Sequence, residues 1–209
     1  MGNSKSHSWV LLLLVLLFGQ AWAMETDPLT AVRQTADITI EQLRLHRAEL
    51  NRDPSGIYPL VERYVLPRFD FETISRFVLG KYWREATPTE QKEFIAQFRN
   101  LMVRTYAHAL LTYSDQQIRY LPLRTDDDPR KATVSTSVGK AGAPDIPIDY
   151  KVFKEDSGDW KVYDVVIDGV SLVANYRTSF SGEIRRIGIG GLIKWMEQHN
   201  LEKVPDKVR

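Results

Sequence analysis

Asp164 is the residue whose type and setting most invite a chemical reading. It lies in Trp160–Asp168, where Trp160, Val162, Asp164 and Val166 alternate onto one face of a strand, and Tyr163, Val165 and Ile167 onto the other. A carboxylate among apolar neighbours can be a general base in a hydrophobic pocket. It can equally be a structural carboxylate paired with an arginine such as Arg177 or Arg104. No second acid and no oxyanion partner is visible in the sequence, which favours the structural role.

The other candidates for chemistry are weaker. Three histidines, His46, His108 and His199, follow the N-terminal segment. None sits in an HxxxH or HxH pair, and the chain has no Cys to complete a zinc site. His46 and His199 read as surface residues, and His108 as a hydrogen-bonded core residue within an apolar helix. Asp126-Asp127-Asp128-Pro129 lacks the glycine and the distal glutamate of a calcium loop and reads as a solvated turn. Gly188-Ile189-Gly190-Gly191 follows a helix rather than a strand, so it is a hinge or close-packed turn and not a dinucleotide fingerprint. Ser171 has no G-x-S-x-G frame and reads as a helix cap.

Composition narrows the class. Lys5, an apolar run from Trp9 to Phe18, and Ala21-Trp22-Ala23 have the layout of a secretory signal peptide over residues 1–23, cleaved after Ala23. The apolar run is about ten residues, against the roughly 20 that a spanning helix needs. Without Lys5 the chain has 27 basic and 27 acidic residues. That balance argues against broad electrostatic binding to nucleic acid or anionic membrane. With no Cys, a lipid-anchored N-terminus is not expected and stability must come from packing. Residues 24–209 are expected to form one exported domain large enough for a substantial core.

The elements that must position any site follow from periodicity. Asp27-Pro28 opens a helix whose stripe is Leu29, Val32, Ala36, Leu43 and Leu50. Short helices are predicted over 58–66 and 71–79, the second stopped by Gly80. Thr87-Pro88-Thr89-Glu90 is a capping box before a long helix carrying Phe94, Phe98, Leu101, Met102, Thr105, Ala109 and Tyr113. The pattern then alternates. Strands are predicted over 118–121, 132–138, 146–152 and 160–168, with Pro147 implying an edge or a bulge and Asp156–Asp159 a hairpin turn. A helix bearing Val173, Tyr176, Phe180, Ile184 and Ile187 on one face follows, then the glycine break and a final helix with Leu192, Ile193 and Met196. Helices, then an antiparallel sheet of about four strands, then helices make an α+β domain.

Two blocks carry a resemblance. "FVLGKYWREATPTEQKEFIAQFRNLMVRTYAHAL" and "WKVYDVVIDGVSLVANYRTSF" resemble the signature blocks of the MlaC, or toluene-tolerance, family. The resemblance implies a curved antiparallel sheet and helices around a deep hydrophobic pocket. It implies a periplasmic phospholipid carrier, monomeric and without a cofactor, with acyl chains buried, headgroup exposed and phospholipid as cargo. Its partners would be an inner-membrane ABC transporter with an MCE-domain ring and an outer-membrane lipoprotein–porin complex, and its role the maintenance of outer-membrane lipid asymmetry.

On that resemblance the expected pocket residues are Leu79, Tyr82 and Trp83, then Phe98, Leu101, Met102 and Tyr106 on the long helix. Val134, Ile148, Tyr150 and Val152 would offer the concave face of the sheet, and Val162, Val166, Val173 and Tyr176 would close it. Tyrosines suit the mouth, with a ring inside and a hydroxyl near the headgroup. Periodicity alone does not divide core from cavity. Two rival readings therefore stand beside the carrier: a small-molecule enzyme with Asp164 as base, and a periplasmic adaptor whose apolar stripes are only core.

Overall fold

The computed structural model describes residues 27–111, 117–139, 142 and 144–201. The signal segment and Tyr113 lie outside them. α1 (Pro28–Leu45) is capped by Asp27, whose carboxylate accepts from the Thr30 N–H. α2 (Arg47–Arg52) continues it after a break at His46, where one helix was predicted. The predicted 58–66 helix is a composite. α3 (Ile57–Leu60) passes into a π-helical turn over Val61–Val65 and a 3₁₀ turn over Leu66–Arg68. Pro67 accounts for the tightening, since it cannot supply an N–H to a continuing α-helix. α4 (Phe71–Leu79) ends at Gly80, whose φ of 56° suits glycine.

α5 (Pro88–Leu111) starts with the expected reciprocal cap: Glu90 N–H donates to Thr87 Oγ1, and Thr87 N–H donates to Glu90 Oε2. Such a cap contributes about 1 kcal/mol.

Among the described residues the sheet has six strands: β1 (Gln117–Tyr120), β2 (Arg124–Thr125), β3 (Lys131–Gly139), β4 (Ile146–Lys154), β5 (Trp160–Ile167) and β6 (Val170–Ser171). All pair antiparallel in the order β1-β3-β4-β5-β6, and β2 also pairs with β3. β2 and β6 are two residues each, too short for alternation to show them. Asp168 (φ 49°) and Gly169 (φ 79°) form the two-residue turn between β5 and β6, the Asp-Gly choice for two left-handed positions in succession. Pro147 is neither in an edge strand nor at the bulge. It is the second residue of central β4, at the end of the strand where the β5 ladder has already stopped at Ile148–Ile167.

The bulge lies in β5 instead. Val152 pairs with Val162, but Lys151 pairs with Asp164, so Tyr163 is an extra residue. The ladder phase changes there. Val165 and Ile167, opposite Tyr150 and Ile148, take over the face that Val162 holds before the bulge. Tyr163 turns away and packs on Phe77 and Phe153, with ring centroids 5.8 and 6.1 Å off.

α6 (Leu172–Leu201) is two helices joined across Gly188, whose φ of 74° and ψ of 172° are not helical. No atom lies within 4 Å of a Cβ built on Gly188, so its conformation rather than space requires glycine. Gly188→Ala is expected to cost about 1–3 kcal/mol through backbone strain. Gly182→Ala, within the helix and with only the end of Arg185 near its Cβ, is expected to stabilise by about 0.5–1 kcal/mol. Urea denaturation of the two variants beside wild type measures both, and an equal response would remove the conformational argument.

Among the described residues three apolar clusters hold the domain. One joins α4, α5 and α6 through Leu79, Phe94, Phe98, Phe180 and Met196. Its rings meet at centroid distances of 5.5 Å for Phe94–Phe98 and 5.1 Å for Phe98–Tyr176, pairs worth about 0.5–1.5 kcal/mol each beyond burial. A second puts Ala31 and Val32 of α1 on Val134, Val152 and Val162 of the sheet. The third joins the end of α1 to α3 and α5 through Leu43, Ile57, Val103 and Ala107. No helix among the described residues is long and apolar enough to cross a membrane.

Candidate functional site

Phe69 packs against both the first and the second cluster, yet the three leave space between them. Between them lies a cavity of about 300 Å³, lined by Phe98 and Val173 of the first, Phe69, Tyr150 and Val165 of the second, and Val61, Val103 and Ala107 of the third. Its remaining walls are Phe71 and Ile74 of α4, Met102, Tyr106, Ala109 and Leu110 of α5, Ile148, Asp164 and Ile167 of the sheet, Leu172 and Tyr176 of α6, and Val65 and Leu66 before α4. A smaller cavity of about 160 Å³ shares Val65, Phe69, Leu110 and Tyr150 with it and reaches under α1. An apolar void of about 150 Å³ already admits benzene and stays dry. The larger cavity is twice that, and hydrocarbon is what such walls suit.

Its polar groups are partnered. Tyr106 and Tyr176 are hydrogen-bonded through their hydroxyls, and burial pushes the Tyr106 phenol far above its ordinary range, with the neighbouring Tyr176 adding to the shift. Burial likewise raises Tyr150, partly offset by a hydrogen bond with Thr136. Tyr106, Tyr150 and Tyr176 all line the cavity, and burial favours the neutral form of Tyr106 and Tyr150.

Among the described residues Asp164 is the one charged residue in the wall, only 6% exposed. Its Oδ1 accepts from the Val173 N–H at 3.1 Å, and its Oδ2 accepts from Ser171 Oγ at 2.7 Å with Lys151 Nζ at 3.3 Å. The expected arginine partner is replaced: Arg177 instead donates to the Phe77 carbonyl. Ser171 caps α6 by accepting from the Ala174 N–H at 3.0 Å. The carboxylate thus docks the start of α6 onto β5, where the N-terminal helix dipole favours a negative charge.

Of the fifteen residues expected in a pocket, Phe98, Met102, Tyr106, Ile148, Tyr150, Val173 and Tyr176 line the larger cavity, and Val162 the smaller. Leu79 and Tyr82 are buried in the helical cluster, with Trp83 and Leu101 packed against it. Val134 and Val152 are fully buried between the sheet and α1. Val166 falls on the other face after the bulge, opposite Asp149 and Ser171. Val61, Val65, Phe69, Val165 and Ile167 were not singled out, because the π-helical turn and the bulge shift the phase that periodicity extrapolates. Ala107, four residues beyond Val103 on the same helical face, was legible in principle.

The remaining candidates are structural in setting. His108 is half-buried, with Nδ1 unpartnered rather than hydrogen-bonded as expected. His46 and His199 each bond a carbonyl one turn back. Asp128 accepts from the Arg130 N–H and pairs with Lys131 within a turn. Among the described residues no group of His, Asp and Glu could hold a metal ion.

The family profile of the MlaC protein matches residues 33–198. The chain belongs to the MlaC family. It is 29% identical over 176 residues to the intermembrane phospholipid transport system binding protein MlaC of Haemophilus influenzae, covering 83% of this chain and 82% of that one. It is 27% identical over 179 residues to the toluene tolerance protein ttg2D of Pseudomonas putida, covering 85% and 82%. Among solved structures, a phospholipid-binding protein from Ralstonia solanacearum in complex with a phospholipid superposes with a TM-score of 0.76 at 30% identity, covering 84% of this chain and 97% of that one. The arrangement of helices and antiparallel sheet is thus shared with that solved structure.

Proposed function

We propose that this protein is a phospholipid carrier that takes acyl chain into the cavity between α4, α5, α6 and the sheet and leaves the headgroup to water. The observation that carries the reading is the cavity of about 300 Å³, lined by apolar side chains and three tyrosines, with a carboxylate whose oxygens are both bonded. The phospholipid complex of the Ralstonia relative supports it. Each methylene moved from water into such a site contributes about 0.8 kcal/mol. Ordering the chain and losing its free motion offset much of that. What remains still makes spontaneous release into water slow.

Delivery then requires a partner that opens the cavity or offers a competing apolar path. The carrier is monomeric and periplasmic, freed of residues 1–23. It moves phospholipid between an outer-membrane lipoprotein–porin complex and an inner-membrane ABC transporter with an MCE-domain ring, and so maintains outer-membrane lipid asymmetry. Asp164 is structural in this reading, and no reaction is catalysed.

Organic extraction of the purified protein followed by mass spectrometry tests the proposal. Near-stoichiometric phospholipid is the expected result. A folded protein free of lipid would point to an adaptor, and a bound polar metabolite to an enzyme.

A further inference from the structure

A third pocket, of about 260 Å³, adjoins the hydrocarbon cavities. Leu110 lines all three, and Ile40 and Leu43 are shared with the smaller cavity. One wall is different in kind. Arg44, in the last turn of α1, and Arg47, at the start of α2, both line this pocket, and Asn51 adds a side-chain amide. Both arginines are exposed, and among the described residues no acidic side chain lines the pocket. Neither guanidinium forms an ion pair among the described residues.

Two unneutralised cations three residues apart, one side chain from a hydrocarbon interior, describe a seat for an amphiphile with an anionic head. We propose that Arg44 and Arg47, assisted by Asn51, hold the phosphodiester of the bound lipid while its chains pass Leu110 into the cavities. The inference rests on the phospholipid-carrier reading and adds to it the place of the headgroup. The guanidinium fork matches phosphate oxygens two at a time and is more weakly hydrated than an ammonium. The pocket stays open to water, so the ester substituent beyond the phosphate remains in solvent and is not selected. Free inorganic phosphate offers the same oxygens, and the attached chains are what distinguish the lipid.

The test is calorimetric titration of delipidated protein with two water-soluble probes, dihexanoyl phosphatidylcholine and dihexanoylglycerol, which share chains and differ in the phosphate. In the double variant Arg44→Gln/Arg47→Gln, affinity for the phosphatidylcholine is expected to fall at least about tenfold, as for the loss of one charge-assisted hydrogen bond. Affinity for the glycerol is expected to be unchanged. Arg44→Lys/Arg47→Lys should recover part of the loss. Unchanged phosphatidylcholine binding in the glutamine variant would overturn the proposal, as would an equal loss for both probes. Inorganic phosphate binding the wild type as tightly as the phosphatidylcholine would make this a free-anion site. Failure of both lipid probes to bind wild type would remove the carrier reading itself, a different result from failure of the arginine seat.

Discussion

Val173→Trp is expected to empty the protein of phospholipid while leaving it folded. Val173 is on the first turn of α6, its N–H fixed by Asp164 and its side chain in the cavity wall. In a filled core such an enlargement costs about 1–3 kcal/mol. Here the indole enters a space of about 300 Å³ bounded by Phe98, Met102 and Tyr176, so the lipid-free protein should melt close to wild type. The acyl chain loses that volume, and phospholipid recovered on extraction should fall severalfold or more. Val166→Trp is the matched control. It lies in the adjoining strand but on the opposite face, across from Asp149 and Ser171, and should keep its lipid. Thermal unfolding of delipidated protein beside lipid recovered per molecule reads both outcomes. A Val173→Trp protein that unfolds, with lipid still bound in the surviving fraction, would place Val173 in closed core.

The second large effect concerns stability. Asp164→Leu leaves the Val173 N–H and the Ser171 hydroxyl without their acceptor. Each unsatisfied buried group costs about 1–3 kcal/mol. The Lys151 pair adds little, because the lysine side chain is 41% exposed and its charge is screened by water. A loss of about 3 kcal/mol lowers the melting temperature of a domain this size by roughly 6–12 °C. Asp164→Asn retains one acceptor and should cost less. Lipid bound per folded molecule should be the same in both variants as in wild type. An equally stable Asp164→Asn protein that has lost lipid or transfer would make Asp164 part of the functional chemistry instead.

Much of this fold is local in origin, and the local part was legible. The caps of α1 and α5, the stop at Gly80 and the break at Gly188 depend on residue type and on neighbours within a few positions. The face of α6 follows from a 3.6-residue period that nothing interrupts before Gly188. Val166 shows where such reading stops. Alternation carried through Trp160–Ile167 puts it beside Val162, but one extra residue at Tyr163 exchanges the faces beyond it. The bulge is an event of pairing between β4 and β5, and no residue in either strand announces it. Tyr163 is accommodated there because Phe77, far away in sequence, supplies a ring for it to pack on.

The same distinction separates core from cavity. Leu79, Val134 and Phe98 are alike in the sequence, apolar residues on buried faces, and all are nearly inaccessible in the fold. Only Phe98 borders empty space. By itself the sequence determined an α+β chain, its helix ends, its antiparallel strands, the absence of a cysteine framework and membership of a family that it resembles in two long blocks. Tertiary structure alone decided that three apolar clusters leave a cavity between them, that Asp164 is held by Ser171, Val173 and Lys151, and that Arg44 and Arg47 line a pocket that shares Leu110 with the hydrocarbon walls. The reason is physical. Periodicity records which side of an element leaves water, whereas a cavity is set by the distances at which packed elements hold one another apart, and those belong to no single segment.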